Sequence, residues 1–144
     1  MSDNAANIQA MYQELILDHY RRPRNKGELG GEHRTIAMKN PLCGDEVYLH
    51  LSVEDGKVAD IGFTGRGCSI SQAAASMITQ AVKGKTADEA EALGARYREM
   101  IMGDADAAND KSLGQMRALS GVSKFPARVK CALLAWNALE EGLK

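Results

Sequence analysis

Aromatic residues are scarce in this chain of 144: four Tyr, two Phe and one Trp, 5% of the total. That leaves little material for stacking nucleobases or enclosing a large organic cofactor. Charge of one sign is also lacking, since 18 Lys and Arg stand against 19 Asp and Glu for a net charge of −1. Such a balance supplies no electrostatic footprint for nucleic acid or for an anionic membrane surface. No apolar run approaches the ~20 residues that a membrane helix needs. The segment Met1–Ala10 lacks a charged region followed by an apolar one, so no signal peptide is expected and a cytoplasmic location is. The cysteines number three, with no CxxC pair among them. An odd count argues against paired disulfides and for free thiols or metal thiolates.

What is present reads as one folded domain over residues 1–144. A hydrophobic fraction of 44% and a charged fraction of 26% are ordinary for a globular protein. A chain of this length buries roughly 68–70% of its unfolded surface and needs no disulfide scaffold. No internal repeat or linker divides it.

Ile8, Met11, Tyr12, Leu15, Ile16 and His19 recur at helical spacing, which predicts an amphipathic N-terminal helix. Arg21–Glu32 is basic and glycine-rich, a loop. Val47, Leu49, Leu51 and Val53 alternate with Tyr48, His50 and Ser52 as in a half-buried strand. Asp55 and Gly56 tolerate the positive φ of a hairpin turn, after which Val58, Ile61 and Phe63 form a return strand. Thr35–Lys39 is a third strand. Past Gly65 and Gly67, Ser69 or Ser71 is placed to cap a helix through Ala73–Val82 that stops at Gly84. Thr86 and Glu89 form a capping box for a helix that faces Ala90, Leu93, Tyr97, Met100 and Ile101 inward. Gly103–Lys111 reads as an exposed loop, and a long helix opens after Pro126 with Cys131 in its first turns. The expected fold is α+β, a small three-stranded antiparallel sheet with helices packed on one face.

The chemistry concentrates at the cysteines. Cys43 lies between Pro41 and Gly44 in a turn that can aim its thiol and the Asp45 carboxylate the same way. Cys68 precedes a helix, where unpaired N–H groups and the macrodipole favour a thiolate. Cys131 is flanked by Arg128 and Lys130, which act in the same sense. Three thiolates and one carboxylate make a tetrahedral shell for Zn²⁺ or a partial shell for an iron–sulfur cluster. Spacing alone does not require that they meet, because 25 positions separate Cys43 from Cys68 and 63 separate Cys68 from Cys131. On its Ala/Leu-rich helix Cys131 also reads as a small buried hydrophobe, and Asp45 beside Gly44 as a turn residue. His50 falls on the polar strand face and reads as a surface residue. His19 sits at the edge of its helix's core face, His33 in a polar loop, and none of the three is an expected ligand. Asp104, Asp106, Asn109 and Asp110 lack the glycine and bidentate Glu of a calcium loop. The Arg21–Lys26 run reads as a solvated loop or a docking element.

The segments Asn40-Pro41-Leu42-Cys43-Gly44-Asp45, Gly65-Arg66-Gly67-Cys68-Ser69-Ile70-Ser71 and Arg128-Val129-Lys130-Cys131 resemble the three cysteine motifs of the IscU/NifU-N/SufU family of iron–sulfur cluster assembly proteins. Asp18-His19-Tyr20-Arg21-Arg22-Pro23-Arg24-Asn25 is similar to that family's N-terminal stretch, so the likeness spans nearly the whole chain. Scaffold-type members carry an LPPVK segment and a His directly before the third cysteine. Here Phe125-Pro126-Ala127-Arg128-Val129 and Lys130 stand in those places. A longer stretch between the second and third cysteines, an insertion around 86–112, also resembles the SufU branch.

That resemblance implies a SufE/NifU-like fold and a zinc-dependent sulfur acceptor. It would take persulfide sulfur from the cysteine desulfurase SufS and hand it to downstream Suf cluster-assembly proteins. It implies Cys43, Asp45, Cys68 and Cys131 as metal ligands, with Cys43 as the ligand that leaves and the sulfur acceptor. Arg128 either binds the emerging thiolate or is a solvated cation at a helix start. Four anionic ligands would leave zinc with two excess negative charges, which Arg66, Arg128 and Lys130 would partly offset. The alternative is a scaffold on which a [2Fe–2S] cluster is built on the same thiolates, and a purely structural zinc site is a third reading.

Overall fold

The computed structural model describes residues 2–42 and 44–144, with side chains from residue 9 onward. Helix α1 (Ser2–Arg21) precedes three strands, β1 (Arg34–Asn40), β2 (Asp45–Glu54) and β3 (Lys57–Arg66). Helices α2 (Ser69–Val82), α3 (Ala87–Ile101) and the single turn α4 (Ala105–Ala108) follow. A 3-10 stretch, Lys111–Lys124, then leads to α5 (Pro126–Leu143). Ile8 lies outside the residues whose side chains are described.

The strands form one antiparallel sheet in the order β1-β2-β3. Register follows the alternation of side chains, with Leu49 opposite Phe63 and Leu51 opposite Ile61, all buried on one face. Asp55 and Gly56 both take positive φ (52° and 75°) at the hairpin, as their residue types allow. Two consequences of register matter for the site. Asn40 pairs with Asp45 and Glu46 with Arg66, so the end of β1, the start of β2 and the end of β3 lie at one edge of the sheet.

Helices α2 and α5 pack on the apolar face, α5 against β1 and β2 and α2 against β3. Behind them, α1 and the 3-10 stretch pack on α2, and α3 packs on α5. The capping box of α3 is formed, with Glu89 N–H donating to Thr86 Oγ1 at 3.1 Å and Thr86 N–H to Glu89 Oε1 at 3.0 Å. All five residues expected to face inward from α3 are buried. Gly94, on the same helix, has no side chain because the Trp136 indole occupies the place where a Cβ would sit. Of the four polar residues Asp104, Asp106, Asn109 and Asp110, three cap helices and Asp106 lies within α4. Asp104 accepts from Ala107 N–H at 3.0 Å and Asp110 from Ser112 N–H at 2.9 Å. Gly103–Lys111 is therefore not wholly loop, since Asp104 caps α4 and Ala107 is fully buried beneath it.

Two histidines depart from their expected surroundings. His50 is 3% exposed rather than at the surface. The segment that follows α1 runs along the open edge of β3 and folds over the polar side of that strand: Gly27 N–H donates to Phe63 O at 2.8 Å and Phe63 N–H to Asn25 O at 3.0 Å. A Cβ on Gly62 would strike Gly27 O at 2.7 Å, so that segment lies tight on the strand. Beneath it His50 bonds Thr35 Oγ1 at 3.0 Å and Thr64 Oγ1 at 2.9 Å, while His33 meets its ring edge-on at 5.7 Å.

His19 is fully buried between α1, α2 and the 3-10 stretch. Its Nδ1 lies 2.7 Å from Ser76 Oγ and its Nε2 2.6 Å from Gln115 Oε1. Because Gln115 Oε1 only accepts, Nε2 carries the proton and the Ser76 hydroxyl donates to Nδ1. Ser76 Oγ accepts from Arg24 N–H at 2.8 Å, which completes its bonding.

Gly94→Ala is expected to destabilise the fold by about 1–3 kcal/mol through overpacking against Trp136, which exceeds the ~1 kcal/mol helix propensity gain. A denaturant midpoint within error of wild type would show that the indole can move aside.

Burial holds both His19 and His50 below the ordinary imidazole value of 6.5. Each therefore binds a proton more readily unfolded than folded, so its share of stability is complete above pH 6.5 and is lost as pH falls below that. Between about pH 7.5 and 5.5 the wild-type midpoint should fall more steeply than that of a His19→Gln, His50→Gln double variant. Parallel slopes would remove both histidines from the acid response.

Candidate metal centre

Three segments distant in sequence converge at the sheet edge where β1 ends. Asp45 opens β2, Cys68 immediately precedes α2, and Cys131 lies in the second turn of α5. One carboxylate oxygen and the two sulfurs all lie within 4.8 Å of one another. Among the described residues, no other group of His, Cys, Asp and Glu gathers in this way. Cys43, expected beside them, lies outside the described residues. Its neighbours do not: Leu42 is 80% exposed, and Gly44 takes a φ of 71°, the backbone reversal expected of that turn.

Asp45 is fully buried, and its carboxylate is held by the backbone of the opposing turn. Cys68 N–H donates to Asp45 Oδ1 at 2.8 Å, and Cys68 Sγ lies 3.9 Å from Asp45 Oδ2. Cys68 itself occupies the N-cap of α2, so neither Ser69 nor Ser71 caps the helix. The Ser71 hydroxyl, one turn in, donates to Cys68 O at 3.1 Å. Gly67 completes the turn for a steric reason: a Cβ there would strike Asp45 Oδ1 and come within 2.6 Å of Ser71 Oγ.

Cys131 is fully buried on α5, with its Sγ 3.9 Å from Ala127 O. Asn40, at the end of β1 and 5% exposed, donates from Nδ2 to Cys131 Sγ at 3.8 Å. Asn40 was not singled out among the candidate residues of the sequence, because its burial against Cys131 exists only in the folded chain. Arg128 sits one turn before Cys131. The charge of Cys68, then hydrogen bonding to Cys131, holds the Arg128 guanidinium above its usual pKa, so this cation addresses both sulfurs at once.

The other expected cations are arranged differently. Arg66 pairs with Glu46 at 3.7 Å, and Lys130 is exposed. Arg22 and Arg24 of the basic run both bind Asp18, at 3.1 and 2.7 Å, so they brace the end of α1. Neither His19 nor His50 has a ring nitrogen to spare for a metal.

Two cysteine sulfurs and a carboxylate oxygen at such separations suit Zn²⁺, which takes thiolate and carboxylate ligands in a tetrahedral shell and imposes no d-electron geometry.

The comparisons with known proteins agree with this geometry. Residues 11–132 match the model of the NifU-like N terminal domain. The zinc-dependent sulfurtransferase SufU of Bacillus subtilis (strain 168) is 47% identical over 143 residues, covering 99% of this chain and 95% of that protein. The iron–sulfur cluster assembly scaffold protein IscU of Streptococcus pyogenes serotype M1 is 42% identical over 139 residues, covering 96% and 86%. Among solved structures, a candidate iron–sulfur cluster assembly scaffold for the SUF system from Fervidobacterium islandicum AW-1 superposes with a TM-score of 0.83 at 34% identity, covering 91% and 95%. A three-stranded antiparallel sheet with its helices on one face, three cysteine segments converging at one sheet edge, and a match across most of the chain place this protein in the family of NifU-like N-terminal domains.

Proposed function

We propose that this chain is a zinc-binding sulfur acceptor that works with a cysteine desulfurase in iron–sulfur cluster assembly. The observation that carries the reading is the meeting of Asp45, Cys68 and Cys131 under Arg128, in a chain 47% identical to a zinc-dependent sulfurtransferase. By family resemblance Cys43 joins these three as the fourth ligand and is the one that accepts sulfur. When bound, Zn²⁺ would supply a Lewis-acid centre that keeps its cysteines deprotonated at neutral pH and tolerates the exchange of one ligand.

The chain's own residues divide the remaining work. Asp45 is fixed by the Cys68 N–H and fully buried, and Cys131 is fully buried on a helix, so both suit a permanent role. In this reading a partner's active site reaches Cys43, whose neighbours in the chain are an exposed Leu42 and a Gly44 at positive φ. Its thiolate attacks the terminal sulfur of the desulfurase persulfide. One S–S bond forms on Cys43 as the desulfurase S–S bond breaks, and the desulfurase cysteine departs as thiolate, so no external oxidant or reductant is needed. Arg128 offers a cation to the anionic sulfur during that transfer. The donor is a desulfurase of the SufS type, the recipients are downstream Suf proteins, and the setting is the cytoplasm. Residues 86–112, which hold α3 and α4, are the insertion that sets the SufU branch apart.

The scaffold reading has its own support in the 42% identity to a protein named as a scaffold. Protein purified anaerobically without added metal separates the two. About one zinc per chain in a colourless solution is the outcome for a zinc-dependent acceptor. Iron with acid-labile sulfide in a brown solution would move the assignment to a scaffold. Cys43→Ser is expected to retain its fold and zinc while losing stimulation of the desulfurase, read as alanine released from cysteine. Normal stimulation by that variant would take the acceptor role away from Cys43, and loss of fold together with zinc would mark the site as structural.

A further inference from the structure

Asn40 touches the candidate centre in more than one way. Its side chain is 5% exposed, so an unmade hydrogen bond there would be costly. Leu42 N–H donates to its Oδ1 at 3.3 Å, and Gly44 N–H donates to its backbone O at 2.9 Å. Asn40 thus accepts from the residues on both sides of Cys43. Because Oδ1 is engaged with Leu42, the amide orientation is fixed by the network, and Nδ2–H is the group that faces Cys131 Sγ at 3.8 Å.

An N–H group directed at a thiolate is a charge-assisted donor. It draws electron density from the sulfur, stabilises the anion and makes that sulfur a poorer nucleophile. Within the proposed function, Cys131 stays as a ligand while Cys43 is released to react.

We propose that Asn40 is a positioning residue of this centre, holding Cys131 as a resident thiolate through Nδ2–H while its Oδ1 and its backbone O fasten Leu42 and Gly44, the residues on either side of Cys43. This inference rests on the zinc-site reading, but it concerns the sulfur of Cys131 and can be read without any sulfur transfer.

The test uses the full chain loaded with Co²⁺, whose sulfur-to-metal charge-transfer band reports how electron-rich the thiolates are. Two variants separate the roles: Asn40→Asp keeps an oxygen for Leu42 N–H and loses the donor, whereas Asn40→Leu loses both. Both should shift the band to lower energy and weaken cobalt affinity roughly 10–100-fold, the usual cost of removing a group that supports a metal ligand. Circular dichroism of each metal-free variant checks that the fold persists. Unchanged band and affinity in both variants would overturn the proposal. A change in Asn40→Leu alone would also overturn it, because the tether to Leu42 would then act without the donor to Cys131. The same shift should persist when Asn40→Asp is combined with Cys43→Ser. If Cys43→Ser alone fails to hold cobalt, the ligand roles in the proposed function fail, while the single Asn40 variants still report on Cys131.

Discussion

One hydrogen bond, from the backbone N–H of Cys68 to the buried carboxylate of Asp45, joins the first residue of β2 to the turn that starts α2. A buried carboxylate is costly unless its lone pairs are met, and here the backbone of the partner segment meets one of them at 2.8 Å. That bond also fixes which way the carboxylate faces, and hence which oxygen lies near the Cys68 sulfur. Gly67 makes the contact sterically feasible, since any Cβ would push into the same oxygen. The sheet register brings the two segments together, and the hydrogen bond turns their nearness into a defined pair of donor atoms.

The third donor comes from the helix layer. α5 lies across β1 and β2, close enough at its far end that a Cβ on Gly142 would meet Ile36 Cδ1 at 2.7 Å. Packing of that kind sets the height and rotation of the helix, which in turn carries Cys131 and Arg128 to the end of β1. The chain as a whole is almost neutral. Its candidate centre is not, with a buried carboxylate and two thiols gathered under one arginine. Local charge of this kind leaves no trace in a net total.

Much of the fold was legible because its signals are local. The alternation of Val47, Leu49 and Leu51, the Asp55-Gly56 turn and the Thr86–Glu89 box depend on neighbours within a few residues, and each is found in the structure. His50 was misread because alternation tells which face a side chain takes but not what covers that face. The cover comes from residues 25–33, held by backbone bonds to β3 that leave no mark in side-chain patterns. The 3-10 stretch Lys111–Lys124 was equally hidden, with a break at Gly114 (φ 52°) and apolar residues that follow no single period. For the site, the motifs supplied Asp45, Cys68 and Cys131 as candidates, while their meeting is a property of the folded chain. The roles of Asn40 and Gly67 depend on that meeting, so neither could be read before it.

The order in which the three donors occur along the chain has a consequence for the nascent protein. Asp45 and Cys68 are made early, yet Cys131 follows 63 positions after Cys68. Synthesis runs from the N-terminus at about 5–20 residues per second, so several seconds pass in which only the earlier donors exist. During that interval the β2–β3 hairpin can form, but α5 is not there to bring its sulfur. A metal ion meeting the unfinished chain finds an incomplete set of ligands and little reason to stay. Placing one donor on the last helix makes tight capture a late event, reserved for molecules whose core has already closed.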